Sequence, residues 1–320
     1  TMIRVVGLSA TLPNHRDVGA FLGAPPGGVF HFDASYRPVP LDMTFIGVTE
    51  RNFHAAKAVM DGLAYDKVTR ALAAGHQVMV FVHSRKDTGK TGRALAATAA
   101  AKGGEATGLF DCSAAPAFAA AARDVHKSRN AEVAELFGAG VGIHHAGMLR
   151  PDRSLTERLF SSGCIKVLVC TATLAWGVNL PAHTVIIKGT QLYNPQKGGF
   201  DDLGLLDVQQ IFGRAGRPQF DPDGDAILIT THDSLAHYTG MLLHQAPIES
   251  KFVGGLVDNL NAEVVLGTVA SVAEGAAWLG YTYLHVRMTR NPLAYGIPWA
   301  ELAADPTLAG RRRGLVVEAA

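Results

Sequence analysis

Two arginines three residues apart, Arg214 and Arg217, stand in the stretch Gln210-Ile211-Phe212-Gly213-Arg214-Ala215-Gly216-Arg217-Pro218. Guanidinium groups fork onto phosphate oxygens, and interleaved glycines let the backbone approach a charged ligand closely. Held against a transferring γ-phosphoryl group, such arginines stabilise its developing charge, an effect worth about 10³–10⁵ in rate. The plain structural alternative is a glycine-rich loop with incidental arginines.

A second constellation, Thr171 to Pro181, follows the apolar run Ile165 to Val169. Ligands of open parallel sheets bind at the carboxyl ends of strands. The hydroxyls of Thr171 and Thr173, the backbone at Gly177 and the Asn179 amide suit phosphate and ribose contacts there. Taken alone, the segment is equally an ordinary strand-to-helix loop. His144-His145-Ala146-Gly147 follows another apolar run. Neighbours in an extended chain point to opposite faces and no third ligand stands at a useful spacing, so a backbone-contacting loop is expected there rather than a metal site.

Ser84 to Thr91 ends in the Gly-Lys-Thr of a phosphate-binding loop, between a strand-like run and a helical one. That loop needs a glycine five residues before Gly89, where the backbone curls around a phosphate, and Ser84 stands there. The chain also contains no Asp-Glu dipeptide. The segment is expected to be the basic start of a surface helix.

These residues need a scaffold, and the apolar runs supply one. Ile3 to Leu8, Val78 to Val82, Val141 to Ile143, Ile165 to Val169, Val185 to Ile187 and Ala226 to Ile229 read as strands apolar on both faces, as in a parallel sheet covered by helices on each side. Phe53 to Leu72 recurs at helical spacing before Gly75, and Pro151 opens a helix that Gly163 closes. Leu95 to Ala122 is Ala- and Gly-rich without a clean period, and reads as a helix end followed by a surface insertion, partly helical. After Thr231 the alternation stops, and His232 to Leu243 and Asn261 to Leu279 read as helices of a smaller, mostly helical unit.

Apolar residues make up 48% of the 320, enough to bury sizeable cores and exclude wholesale disorder. With 29 basic and 28 acidic side chains the net charge is +1, so no general basic excess argues for a nucleic-acid partner, though a local groove is invisible in a global sum. Cys112, Cys164 and Cys170 lack CxxC spacing and read as reduced intracellular thiols. No apolar run reaches the roughly 18 residues of a membrane span.

In this order the segments resemble the second half of a Ski2-like superfamily 2 helicase. Ser9-Ala10-Thr11 is similar to its motif III, Phe81 to Arg85 to motif IV, His144 to Gly147 to motif IVa, Thr171 to Pro181 to motif V and Gln210 to Arg217 to motif VI. Cys170 to His183 and Asp258 to Glu263 are most like the two-cassette members. Arg287 to Ile297 and Asp305 to Leu308 favour their signal-cointegrator type, first cassette, over the spliceosomal U5 type. The resemblance implies an α/β, RecA-like parallel sheet with helices on both faces, followed by a mostly helical winged-helix domain. A remnant of a first RecA-like domain would occupy 1–40, the second RecA-like domain 41–242 with an Ala-rich insertion at about 95–125, and a truncated winged helix 243–320.

The resemblance also implies roles. Arg214 and Arg217, with Gln210, would serve ATP hydrolysis, and Gly177, Asn179 and Gly213 would lie near the nucleotide. His83, Ser84, Arg85, His145, Gly147 and Thr173 would hold a nucleic-acid backbone without reading sequence. Ser9 and Thr11 would couple hydrolysis to movement. A strand-separating hairpin is implied over 188–204, with Leu192, Tyr193 or Phe200 as its wedge. Alternatively, the hairpin merely caps the sheet. ATP and Mg²⁺ would need a first RecA-like half, so the chain is expected to be a piece of a longer 3′→5′ motor, inactive alone. Its partners would be that half, single-stranded or partly duplex nucleic acid and complex subunits, in the nucleus or cytoplasm, with no membrane. The competing reading is a non-hydrolysing scaffold, which has little reason to keep both arginines.

Overall fold

A computed structural model of the chain describes residues 3–9, 12–194, 197–218, 220–244 and 247–320. It forms two compact units, Tyr36–His244 and, separately, Thr1–Ser35 with Gln245–Ala320. Helix α1 (His15–Phe21) opens the second of these.

The larger unit runs β1 (Leu41–Val48), α2 (Phe53–Ala73), β2 (Val78–Val82), α3 (Arg85–Lys102), α4 (Gly104–Phe110), α5 (Phe118–Lys127), α6 (Ala131–Phe137), β3 (Val141–His144), α7 (Arg150–Ser161) and β4 (Val167–Thr171). It continues with α8 (Thr173–Gly177), β5 (Thr184–Lys188), β6 (Gln191–Asn194), β7 (Gly199–Asp202), α9 (Leu205–Phe212), β8 (Gly224–Thr231) and α10 (His232–His244). Six strands form one parallel sheet in the order β1-β8-β5-β2-β4-β3. β2, β3 and β5 are buried along their whole length; β2 is apolar throughout, while the polar ends of β3 and β5, His144 and Lys188, are paired with Glu157 and Asp61. β1 lies at one edge, paired with β8 from Leu41↔Gly224 to Val48↔Thr231, and exposes Asp42, Met43 and Thr44.

Asn52 starts α2 by accepting from His54 N and Ala55 N, and Gly75 ends it with φ +85°. Ser84 caps α3, its Oγ accepting from Asp87 N at 3.1 Å. The Gly-Lys-Thr therefore lies inside a helix, with Thr88 and Thr91 buried, and not in a phosphate-binding loop.

Three expectations change. Ile3 to Leu8 forms no strand and is exposed, because no strand among the described residues offers it a ladder partner. The stretch at about 95–125 is not a surface insertion. It is three helices whose Leu95, Ala99, Phe110, Ala121 and Val125 enter the main core, with the Phe110 ring stacked on Tyr65. Asn261 to Leu279 is two helices, broken at Gly267 with φ +76°.

The smaller unit adds α11 (Leu256–Val265), α12 (Val272–Leu279), α13 (Tyr283–Arg290), α14 (Trp299–Ala304) and α15 (Ala309–Ala319). Leu260, Leu279, Leu284, Ile297 and Leu308 form its core. Buried Arg287 donates to Glu249 at 3.1 and 2.6 Å and to Asp17 of α1, and Asn14 donates to Tyr283 Oη at 2.8 Å. Glu249 also accepts from Asn291 and Tyr295, so the buried guanidinium is met by two carboxylates, one of them held by further donors. Arg312 donates to Ala276 O at 2.7 Å. No described helix is long and apolar enough to cross a membrane.

Candidate nucleotide and nucleic-acid interface

Parallel strands put the loops that follow them on one edge of the sheet. β2, β4 and β3 are neighbours, so the loops that follow them, His83 to Arg85, Thr171 to Thr173 and His145 to Gly147, stand side by side. The Arg85 side chain lies on Gly147, where an added Cβ would come within 2.9 Å of Arg85 Cδ. Glycine at 147 thus makes room for an arginine from the adjoining loop. Gly147 N donates to His145 Nδ1 at 3.1 Å, while His144 turns inward to Glu157 at 2.9 Å. The two histidines part, as alternation requires. Thr171 and Thr173 share a hydroxyl bond of 2.8 Å, and Thr173 is exposed. Ser84 and Arg85 begin the 18-residue α3, whose positive end suits an anion.

His83 is differently engaged. Its Nε2 lies 2.6 Å from Gly189 O, and a carbonyl only accepts, so Nε2 carries the proton. Burial holds the imidazole below its ordinary pKa, keeping it neutral. Its one N–H therefore ties the β2 loop to the end of β5.

The arginine stretch lies at the opposite, amino edge. After β4 the chain passes through α8 and returns to enter β5 at Thr184. Just before that entry, Ala182 N donates to Arg214 O at 3.0 Å and Gly216 N donates to Ala182 O at 2.8 Å. Arg214 reaches back to the segment after β4, its guanidinium donating to Ala175 O and to Asn179 Oδ1 (3.3 Å). Gly177 and Asn179 are exposed, and Gly177 has open space where a side chain would stand. Gln210 sits in the last turn of α9, and Gly213 closes that helix, its N–H donating to Gln209 O at 2.8 Å.

Arg217 grips Asp221 through Nε at 2.9 Å and Nη2 at 2.8 Å, and its Nη1 donates to Gln77 Oε1 at 3.3 Å. Burial would raise the Asp221 carboxyl, but the Arg217 bonds outweigh it and hold it below its usual range. Beside this pair the rings of His76 and His183 stack with centres 3.4 Å apart, and His183 Nε2 meets Asp223 at 3.1 Å. Arg37 donates to Ala215 O at 2.9 Å, fixing the carbonyl end of the arginine loop.

Sequence reasoning missed Asp221, Gln77, His76 and Arg37. Asp221, four residues after Arg217, carried a readable charge-pair spacing. The others come from distant segments and carry no local signal.

β6 and β7 form an antiparallel hairpin with Tyr193 opposite Phe200. The three expected wedge residues divide. Leu192 packs on the main core, whereas Tyr193 and Phe200 are exposed and meet edge-on at 5.6 Å. Pro195 and Gln196 of the tip lie outside the described residues. Ser9 is exposed in the smaller unit, and Thr11 lies outside the described residues.

Residues 117–219 match the helicase conserved C-terminal domain family, and residues 249–320 the winged helix-turn-helix domain family. The whole chain is 60% identical to a stretch of the DExH-box ATP-dependent RNA helicase DExH14 of Arabidopsis thaliana, covering 15% of that protein. It is 56% identical, over 99% of its length, to Activating signal cointegrator 1 complex subunit 3 of Rattus norvegicus, and 52% identical over its full length to the protein of that name from Dictyostelium discoideum. It covers 14% of each of those two. The chain thus spans about one-seventh of the length of these curated relatives. It carries the helicase conserved C-terminal domain and the winged helix-turn-helix domain, and over its whole length it resembles part of Ski2-like helicases.

Proposed function

We propose that this chain supplies the second RecA-like half and the winged helix of an ATP-dependent 3′→5′ helicase acting on single-stranded or partly duplex nucleic acid. The observation that carries the reading is the Arg214 guanidinium bound to Ala175 and Asn179. One side chain ties the segment leading away from Thr173 to the loop that bears both arginines. A displacement at the strand-facing loops is then felt where nucleotide charge would be met.

ATP with Mg²⁺ fits these residues from the arginine side only. The Gly-Lys-Thr is helical and its threonine, Thr91, is buried, so the phosphates must be cradled by a first RecA-like half. Three of the five Arg217 N–H groups are engaged by Asp221 and Gln77, which leaves two for a phosphate. Arg217 is the finger in this reading, Arg214 the link, and Gln210, Gly213, Gly177 and Asn179 line the approach. Ser84, Arg85, His145, Gly147 and Thr173 hold the strand backbone, while His83 fixes their loop to Gly189. Tyr193 and Phe200 offer the aromatic surface at which a duplex end unstacks. Ser9 and Thr11 remain the proposed couplers of hydrolysis to movement. The names of the relatives, an ATP-dependent RNA helicase and a subunit of a complex, support nucleic acid and further subunits as partners.

The experiment is ATP turnover with and without a single strand. The chain alone is expected to bind the strand and hydrolyse nothing. A protein joining it to a first RecA-like half is expected to hydrolyse ATP when the strand is added. Strand-stimulated turnover by the chain alone would overturn the assignment.

A further inference from the structure

Over the carboxyl ends of β1, β8, β5 and β2, four adjacent strands, lies a cleft of about 810 Å³. It adjoins the loops after β2, β4 and β3 on the same edge, and His83 belongs to both. The volume falls in the roughly 300–1,000 Å³ range of small-ligand clefts. Its rim is aromatic. Phe53, at the start of α2, and Phe200, of β7, are 56% and 54% exposed with ring centres 6.0 Å apart. Tyr193 continues the surface beyond Phe200. Short polar groups, Thr231, Ser234 and Gln191, line the cleft as well.

Two of its cations are already matched: Lys188 is bound to Asp61, and Lys57 to Asp87 at 2.5 Å. Ammonium groups committed in this way are poor phosphate ligands. Open aromatic faces beside hydroxyl and amide groups suit a flat ring with donors and acceptors on its edge. We infer that the cleft takes an unpaired nucleobase of the single strand whose backbone follows the adjoining loops. The inference rests on the proposed strand contact and names which part of the strand enters this cleft.

The test compares binding of the 320-residue chain to an oligothymidylate and to an abasic oligomer of equal length and charge. The thymidylate is expected to bind about tenfold tighter, or ~1.4 kcal/mol, within the range of one base stacked on an aromatic ring. Phe53→Ala is expected to bring that ratio within about twofold with abasic binding unchanged, and Phe53→Trp to restore it. Phe53 is exposed and Asn52 caps its helix independently of the ring, so the fold survives the change. A ratio that survives Phe53→Ala overturns the inference, as does equal binding of both oligomers by the unaltered chain. Equal loss of both strands on Phe53→Ala also overturns it, since the ring would then not be reading a base. If the unaltered chain binds neither strand, the proposed function falls and this inference with it.

Discussion

The Asp221 carboxylate receives three hydrogen bonds from one residue, Arg217: from Nε at 2.9 Å, Nη2 at 2.8 Å and the backbone N–H at 2.8 Å. The Asp221 side chain is 3% exposed, so the pair is an internal clamp and not a surface ion pair. Asp221→Asn keeps the shape and removes the charge. It is expected to cost about 1–3 kcal/mol in urea unfolding, as for hydrogen bonds to charged groups. Because the folded carboxyl is held below its ordinary value, the stability it contributes is complete above about pH 4 and is lost as pH falls through the lowered value. The variant should lack that part of the acid transition.

Histidines give a second pH dependence. Burial, and then the neighbouring His183, hold His76 below its ordinary value, and burial does the same to His83, His144 and His145. The unfolded chain therefore takes up protons first as pH falls below about 6.5, and stability falls with it. The melting temperature should drop between about pH 7 and pH 5, and His76→Ala should make the drop shallower. A melting temperature that rises over that window would contradict the lowered His76 value.

Gly216 has φ +83°, and a Cβ there would come within 2.5 Å of Val39 Cγ1. Left-handed backbone and overpacking together predict that Gly216→Ala costs about 2–4 kcal/mol. The loss should appear in chemical denaturation, with Arg217 displaced because Gly216 N no longer meets Ala182 O.

Arg85, seated on Gly147, is proposed to meet phosphate. Arg85→Ala should weaken binding of single strands of any sequence alike and reduce the salt slope by about 0.7. Affinity measured across a salt series for two unrelated sequences checks both. A sequence-dependent loss would place Arg85 at a base.

The hairpin residues are expected to separate stability from the proposed strand opening. Leu192→Ala should destabilise by about 1–3 kcal/mol because Leu192 packs on the core. Tyr193→Ala, at an exposed ring, should leave melting within about 0.5 kcal/mol of the parent and slow duplex unwinding in the assembled helicase without slowing ATP turnover.

The central strands were legible because β2 and β5 are apolar on both faces, a pattern only a covered parallel sheet demands. β1 was missed for the converse reason. As an edge strand it exposes Asp42, Met43 and Thr44, so only its second half, Phe45 to Val48, is an apolar run. Residues 95–125 misled because alanine packs against a core without leaving a strong period, and only Leu95, Phe110 and Val125 betray the buried side. Both arginines were visible from spacing and chemistry. Their partners were not, since Gln77 and Arg37 reach Arg217 and Ala215 from more than a hundred residues away.

The central claim is that Arg217 acts on nucleotide charge across from a first RecA-like half. Single-turnover ATP hydrolysis by the assembled protein, unaltered and Arg217→Ala, tests it most directly when strand affinity is measured alongside. The account predicts a loss of about 10³-fold or more in rate, with strand affinity changed by less than about twofold. Hydrolysis at the parent rate by Arg217→Ala would contradict it.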